Sequence, residues 1–278
     1  MKALRPAQLF ANLVRASDGA GIDVPLDRAC LLSCAVFDSS VDPALYCARL
    51  DDLAAEALAA AEGAHPYALI GAVLDTLFDK HGFRGNDAGY SDPGNSLLSS
   101  VIETRVGIPI TLSIVLMEVA RRVGLTLDGV GLPGHFIVRF PDETSQLFID
   151  PFDGGRILDV HACVALFDKL YRGRLTWREE YLRPVSHRTI LKRVLLNLKN
   201  ALSQGKNYVA ALAAIELQLA VDPDDPTELR DRGILFARLH RYDRAIADLE
   251  AYLRRLPDAG DGDHIRSTVQ YLRQARGL

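Results

Sequence analysis

The chain has 278 residues, of which 49% are hydrophobic, and it carries a formal net charge of −4 with a pI near 6.0. That length and apolar content suffice for a sizeable core in about two domains, and the mildly acidic balance leaves no electrostatic footprint for nucleic acid. The charge is uneven, however: residues 1–182 sum to −8 and residues 183–278 to +4, so the second half can steer an acidic partner or simply present solvated helices.

At the N-terminus the apolar run from Leu9 to Val14 is too short, and too soon followed by Arg15 and Asp18, for a secretory leader. No window has the length needed to cross a bilayer. The expected location is the cytoplasm, without membrane contact. Cys30, Cys34, Cys47 and Cys163 form no Cys-x-x-Cys set; Cys30 and Cys34 stand one helical turn apart in an apolar segment and read as small core residues.

In sequence order, apolar residues recur at helical spacing from Ala7 to Ala16 and from Leu26 to Phe37. Asp42-Pro43 starts a third helix, with Asp as cap and Pro in the first turn, and Glu62-Gly63 ends it. His65-Pro66 opens a fourth that ends at His81-Gly82. Residues 1–82 are thus expected to form a helical layer. Phe83 to Gly94 is rich in Gly, Asn and Asp and reads as a surface loop carrying Tyr90. A helix starting near Pro109 is apolar nearly all round, which implies burial; Arg121-Arg122 suit its C-terminal dipole, and Gly124 its cap. Leu125 to Leu132, His135 to Phe140 and Gln146 to Asp150 are expected as three strands, with Pro141-Asp142-Glu143 turning the second into the third. Helix returns from Asp159 to Tyr171, and residues 172–187 have no clear period. The fold class expected for the first region is α+β, a buried helix under an antiparallel sheet.

The second half repeats itself. An offset of 34 pairs Leu195 with Leu229, Tyr208 with Tyr242, Ala211 with Ala245, Ile215 with Leu249 and Pro223 with Pro257. The period and the alternation of small and large residues fit the tetratricopeptide pattern: Ala lets two helices approach, Tyr fills the space beside it and Pro stops the second helix. Lys199 stands where the second copy has Gly233, and Arg232 where Leu is usual. Repeats are placed at about 192–225 and 226–259, with a capping helix at 264–276. Two repeats cannot bury their own faces and need further support.

The candidate chemistry lies between Ser91 and Gly155. A helix N-terminus favours negative charge, a strand His follows it and a strand Asp comes next; this is the order in which a thiol acyl-transfer site is assembled, the carboxylate fixing the imidazole tautomer. In Arg105-Val106-Gly107-Ile108-Pro109, with His135 and Asp150 after it, the sequence resembles the transglutaminase-like superfamily, whose helix opens Arg-x-Gly-x-Cys. The position that the resemblance gives to the nucleophilic Cys is Pro109. More narrowly, Asn95-Ser96-Leu97-Leu98, the run Gly107 to Ser113, Gly131-x-Pro133-Gly134-His135-Phe136 and Ile149-Asp150-Pro151-Phe152-x-Gly154-Gly155 are similar to the SirB1 family, which joins a transglutaminase-like domain to tetratricopeptide repeats. The resemblance implies a domain over 1–182, its core at 83–182, and an all-α repeat region over 183–278. It also gives weight to the segment Tyr90 to Ser96 as a lead into the site.

Two functional readings follow. In the first, a degenerate scaffold without the thiol binds a protein or peptide, candidate contacts being Tyr90, Asn95, Arg105, Pro109 and Ser113, and acts as a regulatory component. In the second, a hydrolase or acyl transferase uses His135 and Asp150 with a hydroxyl from Thr111 or Ser113, although a first-turn Thr commonly serves the backbone. A metal reading would draw on His135, Asp150, His161 or Asp153, but their spacing matches no metal signature. No Gly-rich loop has dinucleotide or P-loop spacing, so no cofactor is expected. The sequence sets no substrate and no oligomeric state.

Overall fold

In the computed structural model, residues 4–141 and 146–276 are described. The turn expected at Asp142-Glu143 lies outside them. The protein divides into two compact units between Val194 and Leu195.

The first unit opens with four helices, α1 (Pro6–Ala20), α2 (Leu26–Phe37), α3 (Pro43–Ala60) and α4 (Pro66–Leu74), the last continuing as a wider π-helical turn over Asp75–Lys80. Local chemistry sets their starts. Asp42 accepts a hydrogen bond from Ala44 N at 3.0 Å while Pro43 takes the first helical position, where its missing N–H costs nothing.

Two short strands, β1 (Arg84–Gly85) and β2 (Val106–Gly107), pair in parallel on either side of helix α5 (Leu98–Thr104). The segment expected as a plain loop is therefore pinned at both ends, by β1 and by a 3₁₀ turn over Pro93–Ser96. Helix α6 (Pro109–Arg122) follows, and every residue from Pro109 to Ala120 is buried, as an all-round apolar surface requires. One charge goes down with it. Glu118 is held at 2.9 Å by Arg122 and meets Arg121 as well, and both arginines also reach Asp27 of α2. Burial raises the pKa of Asp27, but its hydrogen bonds from Arg122 and Arg28 N, with the two arginine charges, outweigh this and hold the carboxyl below its ordinary value.

The sheet is a four-stranded antiparallel meander of β3 (Asp128–Val130), β4 (Ile137–Pro141), β5 (Gln146–Asp150) and β6 (Arg156–Leu158). Strand β6 was not expected; three residues between Gly154-Gly155 and the Asp159 cap show too little alternation to be read. Helix α7 (Val160–Tyr171) brings Cys163 onto the face formed by Val130, Ile137, Phe148 and Leu158. Val138 and Ile149, paired across β4 and β5, point to the other face and are also buried. Helix α6 packs against β3 and β4. The mixed fold class, α+β followed by helices alone, is the one expected.

The second unit contains the end of α8 (His187–Gln204) and then α9 (Tyr208–Val221), α10 (Pro226–Arg238), α11 (Tyr242–Arg255) and α12 (Gly262–Ala275). Gly233 lets α10 approach α11: a Cβ there would lie 2.8 Å from Leu249 Cγ. Both departures from the repeat pattern are ion pairs. Lys199 Nζ, on a side chain only 4% exposed, lies 2.8 Å from Glu228 Oε1 and 2.8 Å from Asp231 Oδ2. Arg232 makes a two-pronged contact with Asp248 at 2.7 and 2.9 Å and reaches Glu216 at 3.1 Å. The excess of basic residues in this half is thus largely spent on carboxylates, with Arg230, Arg255, Arg266, Arg273 and Arg276 also paired. No helix among the described residues is long and apolar enough to cross a membrane.

Candidate functional site

Leu132-Pro133-Gly134-His135 closes as a turn, His135 N donating to Leu132 O at 3.0 Å. Proline supplies the first corner, and Gly134, at φ +71°, the left-handed second corner that a side chain disfavours. This turn displaces His135 from the strand in which it was expected, to a position just ahead of β4. Its backbone is therefore free of the sheet ladder, and its ring reaches the end of β5, where Nε2 lies 2.8 Å from Asp150 Oδ2. Both side chains are buried. Asp150 Oδ1 in turn accepts from Phe152 N at 3.0 Å and Asp153 N at 3.4 Å, so the carboxylate caps the turn that follows it and is held rigidly. Asp150 thus occupies Nε2, and among the described residues nothing bonds to Nδ1.

Phe152 sets its ring edge-on to His135, the centroids 5.9 Å apart, and edge-on to Tyr90 at 6.3 Å. It also explains Gly85, because a Cβ at that position would lie 2.6 Å from the Phe152 ring. Tyr90 is 49% exposed and marks the solvent side of the cluster. Burial raises the pKa of its phenol, with the charge of Arg193 acting in the opposite direction, so Tyr90 stays a protonated donor at neutral pH. Arg193, on α8, donates from Nη2 to His135 O at 2.7 Å and to Leu132 O at 3.2 Å.

The first turn of α6 joins this cluster through the backbone. Thr111 Oγ1 donates to Asn95 O at 2.7 Å and accepts from Ile108 N at 3.2 Å, which closes the helix cap. Ser113 Oγ donates to Pro109 O at 2.8 Å. Thr111 and Ser113 are both fully buried. In this structure each hydroxyl, expected as a possible nucleophile, donates to a main-chain carbonyl. Thr111→Val is accordingly expected to cost about 2–3 kcal/mol of unfolding free energy in urea, because Asn95 O is left unpaired, and Thr111→Ser much less.

Asn95 is also committed. Its Nδ2 donates to Gly89 O at 2.7 Å and its Oδ1 accepts from Asn86 Nδ2 at 3.1 Å, so it shapes the Tyr90 loop rather than facing a ligand. Arg105 is placed elsewhere. It adopts a left-handed φ of +61° after α5 and lines a groove of about 520 Å³ with Glu56, His81 and Glu103, to which neither His135 nor Asp150 contributes. Pro109 is buried at the first position of α6 and has neither sulfur nor N–H to offer.

None of the four thiols is activated. Burial pushes Cys30, Cys34 and the half-buried Cys47 up. Cys163 is pushed up to about 12 by burial, aided by the charges of Asp159 and Asp150, and it belongs to the apolar core under α7. Among the described residues no group of three or more His, Cys, Asp or Glu is placed to hold a metal ion.

Arg193 and Phe152 were not singled out from the sequence. Phe152 stands next to Asp150 in a quoted motif, which was a usable signal. Arg193 lies in a segment expected to belong to the repeats, and nothing in its local pattern distinguishes it.

The family model described as transglutaminase-like superfamily matches residues 44–196, a span that runs into α8 past Arg193, and a tetratricopeptide-repeat model matches residues 198–270. A "UPF0162 protein" of Xylella fastidiosa (strain Temecula1) is 38% identical over 208 residues, 74% of this chain and 74% of that protein. A "UPF0162 protein" of Vibrio cholerae is 29% identical over 203 residues, covering 72% and 74%. "Protein SirB1" of Salmonella typhimurium is 26% identical over 198 residues, 71% of this chain and 73% of its own length. No solved structure matches the sequence. A transglutaminase-like region, repeats in the expected order and relatives matched over most of their length together show that the protein belongs to the SirB1 family.

Proposed function

We propose that this protein is a cytoplasmic, non-catalytic binding or regulatory component, a transglutaminase-like scaffold whose groove at His135 and Asp150 holds a peptide or small polar group without turning it over. The repeat helices act as an interaction or buttressing surface for a protein partner, as helical repeats commonly do. One observation supports this above the others: the imidazole has its orienting carboxylate at 2.8 Å but no nucleophile bonded to Nδ1 among the described residues. Pro109 stands at the position of the thiol, the Thr111 and Ser113 hydroxyls serve carbonyls, and the cysteines are buried or protonated. Nucleophilic catalysis needs the nucleophile within about 3 Å of the base.

A turnover assay tests the proposal. Purified full-length protein, given a chromogenic peptide amide and a primary-amine acceptor, is expected to release and transfer no more product than its His135→Ala variant. Product formed by the wild type and abolished in His135→Ala would overturn it and return the hydrolase or acyl-transferase reading.

A further inference from the structure

Arg193 differs from the other half-buried arginines of this protein. Arg122 holds Asp27 and Asp51, Arg139 holds Asp128, Arg230 holds Asp231 and Asp261, and Arg232 holds Asp248. Among the described residues no carboxylate pairs with Arg193. Its Nη2 is used on two carbonyls, its plane lies over the Phe136 ring at 5.4 Å, and its Nε and Nη1 make no hydrogen bond there. Burial works against this charge and lowers its pKa. A desolvated guanidinium without a counter-ion is costly to maintain.

The surroundings leave room at Nη1 and at the Tyr171 hydroxyl. A Cβ at Gly131 would come within 3.2 Å of Nη1, and one at Gly134 within 3.3 Å of Tyr171 Oη, so two glycines hold the turn back from both donors. Tyr171 is fixed by stacking on Phe167 at 4.9 Å. Tyr90 is half exposed, and through Phe152 it borders the His135 ring. Guanidinium, two phenols and an imidazole thus lie around one small region; Asp150 answers the imidazole, but among the described residues no carboxylate pairs with the guanidinium.

We infer that Arg193, Tyr90 and Tyr171 form a carboxylate-binding site beside His135, and that the ligand of the groove is a peptide presenting a free carboxylate. The carboxylate comes from the C-terminus of that peptide or from an acidic side group within it. Nε and Nη1 point to opposite sides of the guanidinium, so one carboxylate oxygen accepts from a single Arg193 donor and the other from a tyrosine hydroxyl. This inference rests on the reading of the groove as a binding site.

The test is an NMR titration of the full-length ¹⁵N-labelled protein with three probes: N-acetyl-triglycine as the free acid, the same peptide as its C-terminal amide, and N-acetyl-Gly-Glu-Gly-amide. The free acid, the Glu peptide or both are expected to shift the Arg193 Nε–H and His135 ring signals saturably, and the triglycine amide is not; which acid responds identifies the source of the carboxylate. Arg193→Lys is expected to weaken binding about tenfold or more, because one ammonium cannot serve the two carbonyls and a carboxylate at once. Arg193 also caps two carbonyls, so Tyr90→Phe serves as a variant with an intact fold, expected to weaken binding roughly 2- to 10-fold for one lost hydrogen bond. Equal response to acid and amide, no response to any probe, or full affinity in Arg193→Lys would overturn the site. Cleavage of a probe would instead count against the non-catalytic reading while leaving a preference for acids standing.

Discussion

Replacing Gly155 with Ala is expected to destabilise the first unit by about 2–5 kcal/mol, the sum of a left-handed backbone penalty and overpacking. Gly155 has φ +77°, and an added Cβ would lie 2.7 Å from Phe78 Cε2 and closer still to Cδ2. Phe78 belongs to the π-helical turn that ends the fourth helix, so the clash falls on that turn. Gly155 N also donates to Asp150 O at 2.9 Å, so the strain falls on the loop that holds the partner of His135. Gly154 is the control. It too is left-handed, at φ +63°, but a Cβ there meets nothing within 4 Å, and Gly154→Ala should cost only about 1 kcal/mol. Thermal unfolding of the two variants checks this, with Gly155→Ala losing several degrees more in Tm. Equal losses would show that the Phe78 contact does not matter.

The second large effect is expected at Lys199. Its ammonium lies between Glu228 and Asp231, and removing it by Lys199→Met leaves a buried carboxylate without its partner, which costs about 3–5 kcal/mol. The repeat pattern would suggest a small residue here, as Gly233 is in the second copy, but Lys199→Gly would strand the same two acids. Lys199→Met combined with Glu228→Gln should recover part of the loss, since the buried charge and its cation leave together. The pH dependence has a definite sign. Burial raises the pKa of Glu228 above its ordinary 4.5, and the hydrogen bonds and charge of Lys199 offset this only in part. The folded state therefore keeps this proton at a pH where the unfolded protein has released it. Stability from this group is full below 4.5 and declines as pH rises through the raised folded value. Unfolding curves across that range should show a smaller decline in Glu228→Gln than in the wild type. Parallel curves would remove Glu228 as the source.

Much of the fold could be read from periodicity. The buried helix at Pro109 announces itself because no charged residue precedes Glu118 in it, and the 34-residue offset aligns residues of matching size. Short elements were not legible: β1, β2 and β6 have two or three residues each, too few for alternation to register. His135 was placed in a strand because Phe136 to Phe140 continues the apolar run, whereas the Pro133-Gly134 turn chemistry takes precedence over it.

At the site, the pairing of His135 with Asp150 follows from hairpin order, but the fate of the hydroxyls does not. Whether Thr111 faces a substrate or a carbonyl depends on Asn95, 16 residues earlier, and that contact exists only in three dimensions. Arg105 shows the converse, since its nearness in sequence to Pro109 leaves it lining a groove to which His135 does not contribute. Arg193 is 58 residues beyond His135, on a helix whose pattern reports only its own amphipathicity, so its two carbonyl contacts leave no local trace.

The central claim is that the His135–Asp150 pair is assembled without a nucleophile. Intact-mass analysis with peptide mapping, after full-length protein is incubated with an electrophilic ester probe, tests it most directly. The account predicts no adduct on Thr111, Ser113 or any cysteine beyond the level found in His135→Ala. A stoichiometric adduct on one of those residues, lost in His135→Ala, would contradict it.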